Sequence, residues 1–118
     1  MSVEVAFFDW GELIEEKTIK NFSETQVPSL VRELRESQVS KMFSAIISKS
    51  HKDQIDICHV GKDEYLILFD RLTKSSTFWK RILAVQSPRY TAKGDPEAQK
   101  LIKDYLSMSR LDFENQYS

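Results

Sequence analysis

The sequence predicts an α+β domain in which an antiparallel sheet of about four to six strands packs against two main helices. Two observations support this fold class. Short runs rich in β-branched and aromatic residues are separated by polar turns, and two other stretches repeat apolar residues at helical spacing. The chain has 118 residues, 41% hydrophobic and 30% charged, so residues 1–118 are expected to form a single globular domain.

Two strands are expected at the start of the chain. Residues 3–10 are β-branched and aromatic, which favours a strand, and Gly11 is a plausible turn. Residues 13–20 form a second strand candidate, with Ile14 and Ile19 as apolar anchors. The alternation of polar and apolar residues in this second candidate is poor, so its geometry is less regular than that of the first.

The first helix is expected to begin between Ser23 and Pro28, because proline is tolerated in a first helical turn. Apolar residues then follow at i, i+3, i+4 and i+7, namely Val27, Leu30, Val31 and Leu34. This spacing places them on one helical face. The helix is expected to end near Ser37–Gln38.

Three strands joined by short polar turns follow the first helix. They are predicted at 41–48, 54–60 and 65–69, with turns at 50–53 and 61–64. The third strand is apolar on both faces, which is typical of a strand in the interior of a sheet. Together they predict an antiparallel meander.

The next part of the chain is harder to assign. Residues 72–77 read as a polar loop. Residues 78–85 fit either a helix or a strand, and the abrupt stop at Ser87–Pro88 favours a strand over 78–87.

A second helix is predicted with Asp95 as its N-cap and Pro96 at its first position. Its buried face is expected to contain the apolar residues Ala98, Leu101, Ile102, Tyr105 and Leu106. Residues 110–118 read as a polar tail apart from Leu111, Phe113 and Tyr117.

Several kinds of chemistry have no motif in this chain. Its three glycines, at 11, 61 and 94, cannot build GxGxxG or GxxxxGK[ST], so those phosphate-binding loops are excluded. Two histidines and one cysteine do not match a metal-binding spacing. The sequence therefore predicts no cofactor, no metal site and no catalytic residue, and it favours a protein that is not an enzyme.

Cys58 and His59 are neighbours that a strand would point to opposite faces, so they cannot act together as nucleophile and base. We interpret Cys58 as a partly buried structural thiol and His59 as a packed, hydrogen-bonded side chain. Whether Cys58 is reactive stays open.

A cytoplasmic protein is expected. A single cysteine cannot form an internal disulfide, the N-terminal residues do not match a signal peptide, and the apolar runs are too short to cross a membrane.

The net charge of −1 is unevenly divided along the sequence. Residues 1–40 contain eight acids and four bases, and residues 41–93 contain five acids and ten bases. Two interpretations are open: the charges mix on the folded surface, or each region forms a face for a charged partner.

The acidic region offers one candidate partner-binding face. It combines the aromatic Trp10 with Glu12, Glu15 and Glu16, which could meet a basic protein partner. Reversing Glu15 and Glu16 should then weaken the binding.

The basic region offers an alternative. Its stretch 71–93 mixes bases with aromatic rings, which can hold single-stranded nucleic acid. The residues concerned are Lys74, Trp79, Lys80, Arg81 and Arg89. A pI near 6.1 and the lack of an RNP-type motif favour the protein partner over this alternative.

The order of these elements also suggests a comparison. A strand, a second strand candidate and the helix containing Val27–Leu34 are followed by another strand, then a hairpin, Ile55–Phe69, and a late helix, Pro96–Leu106. This layout resembles the small α+β immunity proteins of bacterial toxin systems. The resemblance implies an inhibitor that covers the active site of a cognate toxin, for instance a nuclease. It carries over no functional residue.

Overall fold

The computed structural model describes residues 2–9, 14–36, 43–50, 52–61, 63–69 and 89–117, with Arg89 described by its backbone only. The predicted turn at Gly11, the loop at 72–77 and the uncertain segment 78–87 lie outside the described residues.

Six strands and three helices make up the described fold, with a short 3₁₀ turn before the first helix. They are β1 Glu4–Asp9, β2 Ile14–Ile19, the turn Glu24–Gln26, α1 Val27–Glu36, β3 Phe43–Ser50, β4 Asp53–His59, β5 Glu64–Leu68, β6 Arg89–Lys93, α2 Gly94–Ser107 and α3 Arg110–Tyr117. The strands form one sheet in the order β2-β1-β3-β4-β5-β6, and all neighbours are antiparallel. The predicted α+β class and meander are confirmed.

The main core lies between one face of the sheet and the helices. The sheet side of this core consists of Val5, Phe7, Ala45, Ile47, Ile55, Ile57, Tyr65, Ile67 and Ala92. The helical side consists of Val27, Leu30, Val31, Leu34, Ala98, Leu101, Ile102, Tyr105, Phe113 and Tyr117. Because strand side chains alternate, residues between these on the strands point to the opposite face.

That opposite face has a smaller apolar cluster. Phe8 and Leu68 are buried there, and Ile46 and Leu66 pack against them. Both faces of β5 therefore carry apolar side chains, which agrees with its interior position and its sequence.

The poor alternation of β2 has a geometric cause. Phe7 pairs with Lys17 and Phe8 pairs with Glu15, so Glu16 is an extra residue on β2. Such a β-bulge shifts the alternation by one residue partway along the strand. As a result Ile14 does not act as an apolar anchor: its side chain is 49% exposed.

The first helix starts and ends close to the predicted positions. The Ser23 amide donates to Gln26 Oε1 at 2.9 Å, which fixes the 3₁₀ turn that leads into α1. The four apolar residues predicted for its inner face are all buried.

The predicted N-cap of the second helix is wrong. Lys93 occupies the N-cap of α2, and Asp95 lies within the first turn. The Asp95 carboxylate instead accepts from the Tyr65 hydroxyl at 2.6 Å and pairs with Arg35 at 2.5 Å. Its two oxygens are thus engaged by β5 and α1 rather than by its own helix.

The predicted polar tail is also wrong, because residues 110–117 form α3. This helix buries only Phe113 and Tyr117, and Leu111 is 69% exposed. Two buried positions four residues apart give too weak a periodic signal to identify a helix from sequence. The sequence pattern does not predict strand β6 either.

Candidate functional site

The most exposed strand of the described sheet is β2, which borders it on one side. Every side chain from Ile14 to Thr18 is exposed, and only Ile19 is half-buried. We call the outer side of Ile14–Ile19 the β2 edge. Edge strands present main-chain donors and acceptors that a partner can use.

Two of the four residues predicted to bind a partner lie on the β2 edge. Glu15 and Glu16 are neighbours there and both are exposed. The Thr18 hydroxyl donates to Glu15 Oε2 at 2.8 Å and limits the motion of that side chain. Trp10 and Glu12 lie outside the described residues, so the complete predicted face stays a prediction.

Lys17 attaches β2 to the body of the protein. Its Nζ lies 2.8 Å from Glu33 Oε2 on α1 and 5.0 Å from the centre of the Phe7 ring. The Phe7 ring in turn stacks on Phe43 at 5.6 Å. A cation held over a ring and paired with a carboxylate gives this bordering strand a defined position.

The alternative, nucleic-acid-binding residues are almost all outside the described part of the chain. Four of them lie outside the described residues: Lys74, Trp79, Lys80 and Arg81. For Arg89, only the backbone position in β6 is described.

The aromatic residue next to Arg89 is described in full. Tyr90 donates its hydroxyl to Glu97 at 3.2 Å and packs its ring edge-on against Tyr117 at 5.1 Å. Its ring is therefore already engaged in packing between β6 and the helices.

Cys58 and His59 point to opposite faces, as predicted. Cys58 pairs with Leu66 on one face and is buried, whereas His59 pairs with Tyr65 on the helix face. The His59 ring packs 5.2 Å from the Tyr65 ring. Its Nε2 is buried and has no hydrogen-bond partner among the described residues, so the predicted hydrogen bond at this nitrogen is not found there.

Sequence reasoning missed a cluster that joins β5, α1 and α2. Tyr65 is fully buried and donates to Asp95, which also pairs with Arg35. Burial, followed by the Asp95 carboxylate, raises the pKa of Tyr65 well above its ordinary value. The tyrosine is therefore held neutral, as a hydrogen-bond donor that fixes the start of α2.

A second missed cluster, which we call the Arg110 network, fastens α3 to the sheet. Arg110 donates to Asp53 Oδ1 at 3.2 Å, to the Gln54 carbonyl at 2.7 Å and to the Phe69 carbonyl. It also pairs with Glu114 one turn further along α3 at 3.2 Å. One guanidinium thus joins a helix to two separate strand ends.

Tyr105 and Lys49 extend the Arg110 network to α2. The Tyr105 hydroxyl donates to the Asp53 carbonyl at 2.7 Å and to its carboxylate at 2.9 Å. Lys49 Nζ donates to the carbonyls of Tyr105 and Met108 at 2.7 and 2.6 Å. A cation on these carbonyls stabilises the carboxyl end of α2.

Every polar atom named in these two clusters is paired within the fold, so both clusters join elements of the structure. No group of three or more metal-ligating side chains occurs among the described residues. Within the same part of the chain, no helix has the length and apolar character needed to cross a membrane. The β2 edge is the described surface best suited to contact another molecule.

Comparison with known proteins gives no relative. No family model, curated protein or solved structure matches this chain.

Proposed function

We propose that this protein binds another protein through the β2 edge and acts as an immunity-type inhibitor of a cognate toxin. The observation that carries the proposal is the run from Ile14 to Thr18 at the border of the described sheet, in which every residue is exposed and Glu15 and Glu16 are adjacent. The resemblance in layout to bacterial immunity proteins supports the class of partner.

Charge supports a basic partner. Two adjacent carboxylates on an exposed strand attract a positively charged surface and speed its approach. A toxin that cuts nucleic acid needs a basic cleft for the phosphate backbone. An acidic strand placed over such a cleft would exclude the substrate without any chemistry by the inhibitor.

The attachment of β2 supports a preformed surface. Lys17 holds the strand to Glu33 and to the Phe7 ring, so less conformational entropy would be lost on binding. A cytoplasmic site of action is part of the proposal, since the intracellular product of a toxin gene is the natural target of such an inhibitor.

The experiment is a comparative capture from the source cell. Three immobilised baits are needed: the wild-type chain, E15K/E16K, and the control E24K/D112K, which makes the same charge change at exposed residues of the 3₁₀ turn and α3. A protein held by the wild type and the control but lost by E15K/E16K supports the proposal. A protein retained equally by all three baits would place the binding surface elsewhere.

The toxin class is tested by co-expression. The captured protein, produced alone in the host cell, should arrest growth, and the wild-type chain should restore it. E15K/E16K should restore growth poorly while E24K/D112K restores it fully. If the captured protein is not toxic, the chain would still be a protein-binding module, but the proposed role as an inhibitor would be wrong.

A further inference from the structure

The direction of the main-chain groups on β1 is fixed by one hydrogen bond. The Phe22 amide donates to the Val3 carbonyl at 2.8 Å, so Val3 directs this group toward the β2 side. Main-chain groups alternate between the two sides of a strand. Val5 and Phe7 therefore also face β2.

The same alternation fixes β2 on one side of its bulge. Ile19 and Lys17 are opposite the β1 residues that face β2, so their own main-chain groups point toward β1. Thr18 lies between them. Its N–H and C=O point to the outer side of the sheet.

On the other side of the bulge, toward Ile14, the alternation of inward and outward main-chain groups is shifted by one residue. Asp9 also faces β2, and its partner Ile14 points toward β1. Glu15, the next residue, is therefore the second position whose main-chain groups point outward. The outward positions of β2 are three residues apart instead of the two of a regular strand.

Two kinds of strand could pair with this edge. A regular strand pairs with a bulged one by leaving the extra residue unmatched, as β1 does on the inner side of β2. A strand with the bulge at the same place, such as β2 of another copy, meets both outward positions with no residue left over. Strand β3 also has an extra residue, Lys49, but β1 and β4 flank it within the sheet.

A second copy of β2 also matches in side chains. When two copies run antiparallel so that outward residues pair, the opposed residues are Ile14 with Ile19, Glu15 with Thr18, and Glu16 with Lys17. Each acid then meets a hydroxyl or a base, and each isoleucine meets an isoleucine. Opposite charges directly across an antiparallel pair stabilise it, whereas like charges oppose it.

We propose that two copies of this chain associate through the β2 edge, with Glu16 of each copy opposite Lys17 of the other, to form one continuous antiparallel sheet. The contact joins two six-residue strands. The surface that such a contact buries is far smaller than the roughly 1,200 Å² buried by a stable interface. The dimer is therefore expected to be weak and to form at high protein concentration.

This inference does not depend on the proposed function, although both use the β2 edge. A toxin on that edge and a second copy of the chain would compete. A strictly monomeric chain would overturn the dimer and leave the proposed inhibitor untouched.

The test is sedimentation equilibrium of the full chain at low salt, over about 10 μM to 1 mM. The apparent molecular mass of the wild type should rise with concentration, from the monomer mass toward twice that mass. E16K puts a base opposite Lys17 of the other copy and should raise the dissociation constant about tenfold or more. Monomer mass throughout, or a dimer that E16K leaves unchanged, would overturn the proposal.

A charge swap separates pairing from a loss of folding. K17E/E33K keeps an ion pair within the chain but places acid against acid between copies, so it should weaken the dimer. The triple variant E16K/K17E/E33K restores opposite charges in both places and should return the dissociation constant to within about threefold of wild type. Failure of the triple variant to recover, in a chain that unfolds like the wild type, counts against the register.

Cross-linking tests the register directly. Residues that exchange two main-chain bonds lie about 5.5 Å apart at their Cα atoms, within the range a disulfide spans. Mixing E15C with T18C under oxidation should link one copy of each, and neither variant alone should link as strongly. Equal linking of E15C to itself would contradict the register.

Discussion

The Arg110 network and the β2 edge make opposite use of charge. In the Arg110 network, a guanidinium and a carboxylate are partly buried and paired, and the guanidinium also donates to main-chain carbonyls. At the β2 edge, Glu15 and Glu16 are exposed to solvent. Removing a charge from the first region leaves its partly buried partners without a hydrogen bond. Removing a charge from the second region leaves a surface that water still solvates. We therefore expect the first to determine stability and the second to determine binding.

The largest effect should follow from Arg110→Ala. It removes the donor to Asp53 and to two strand carbonyls, and the free energy of unfolding should fall by about 3 kcal/mol. Urea unfolding monitored by circular dichroism measures this. Lys52→Ala, at an exposed lysine, is the control and should change stability by less than about 0.5 kcal/mol. Similar losses of unfolding free energy in both variants would show that the Arg110 network does not stabilise the fold.

A smaller loss is expected from Tyr105→Phe. It removes only the hydroxyl that donates to Asp53, so unfolding should become easier by about 1 to 2 kcal/mol. Tyr105 and Arg110 share Asp53, so combining the two substitutions should cost less than the sum of the single losses. Strict additivity in a double-mutant cycle would argue that the two side chains act independently.

A pH dependence is expected from Tyr65. Its pKa is raised in the folded chain, chiefly by burial and then by Asp95, above the value of about 10 expected when unfolded. Its contribution is therefore fully present below pH 10 and is lost as the pH rises above it, because the unfolded chain then releases the proton more readily. The loss should be about 1 kcal/mol between pH 10 and 11.

Tyr65→Phe isolates this contribution. The variant should be less stable than wild type at pH 8, and the difference should narrow at pH 11 in urea unfolding. A constant difference at all pH values would mean that Tyr65 ionises equally in both states.

The smallest effect on stability is expected from E15K/E16K. Both side chains are exposed, and the hydroxyl bond from Thr18 to Glu15 lies at the surface, so the change should stay within about 0.5 kcal/mol. Thermal unfolding measures it against E24K/D112K. A loss of stability comparable to that of Arg110→Ala would show that the β2 edge also determines stability, against the difference proposed between the two regions.

The sequence predicted those elements whose pattern is local. The apolar period of α1 and the strands β1, β4 and β5 follow from side chains that face one core. The bulge at Glu16 explains why β2 was identified without its correct alternation, since one extra residue shifts every side chain beyond it.

The missed parts depend on contacts between distant residues. Arg110 reaches Phe69 and Gln54, which lie 41 and 56 positions away, and no local spacing reports such a contact. Aspartate before proline predicts an N-cap, but the Asp95 carboxylate instead pairs with a tyrosine and an arginine from other elements. The sequence singles out Glu15 and Glu16 as acids of a possible partner face, whereas their place on a bordering strand depends on the pairing of the whole sheet.

The central claim is that the β2 edge binds a partner protein, and calorimetric titration tests it most directly. The protein captured by the wild-type chain should be titrated into wild type, E15K/E16K and E24K/D112K at one salt concentration. We predict that E15K/E16K weakens binding at least about tenfold and that E24K/D112K stays within about twofold of wild type. Equal affinity of all three chains, or equal weakening by both charge reversals, would contradict the claim.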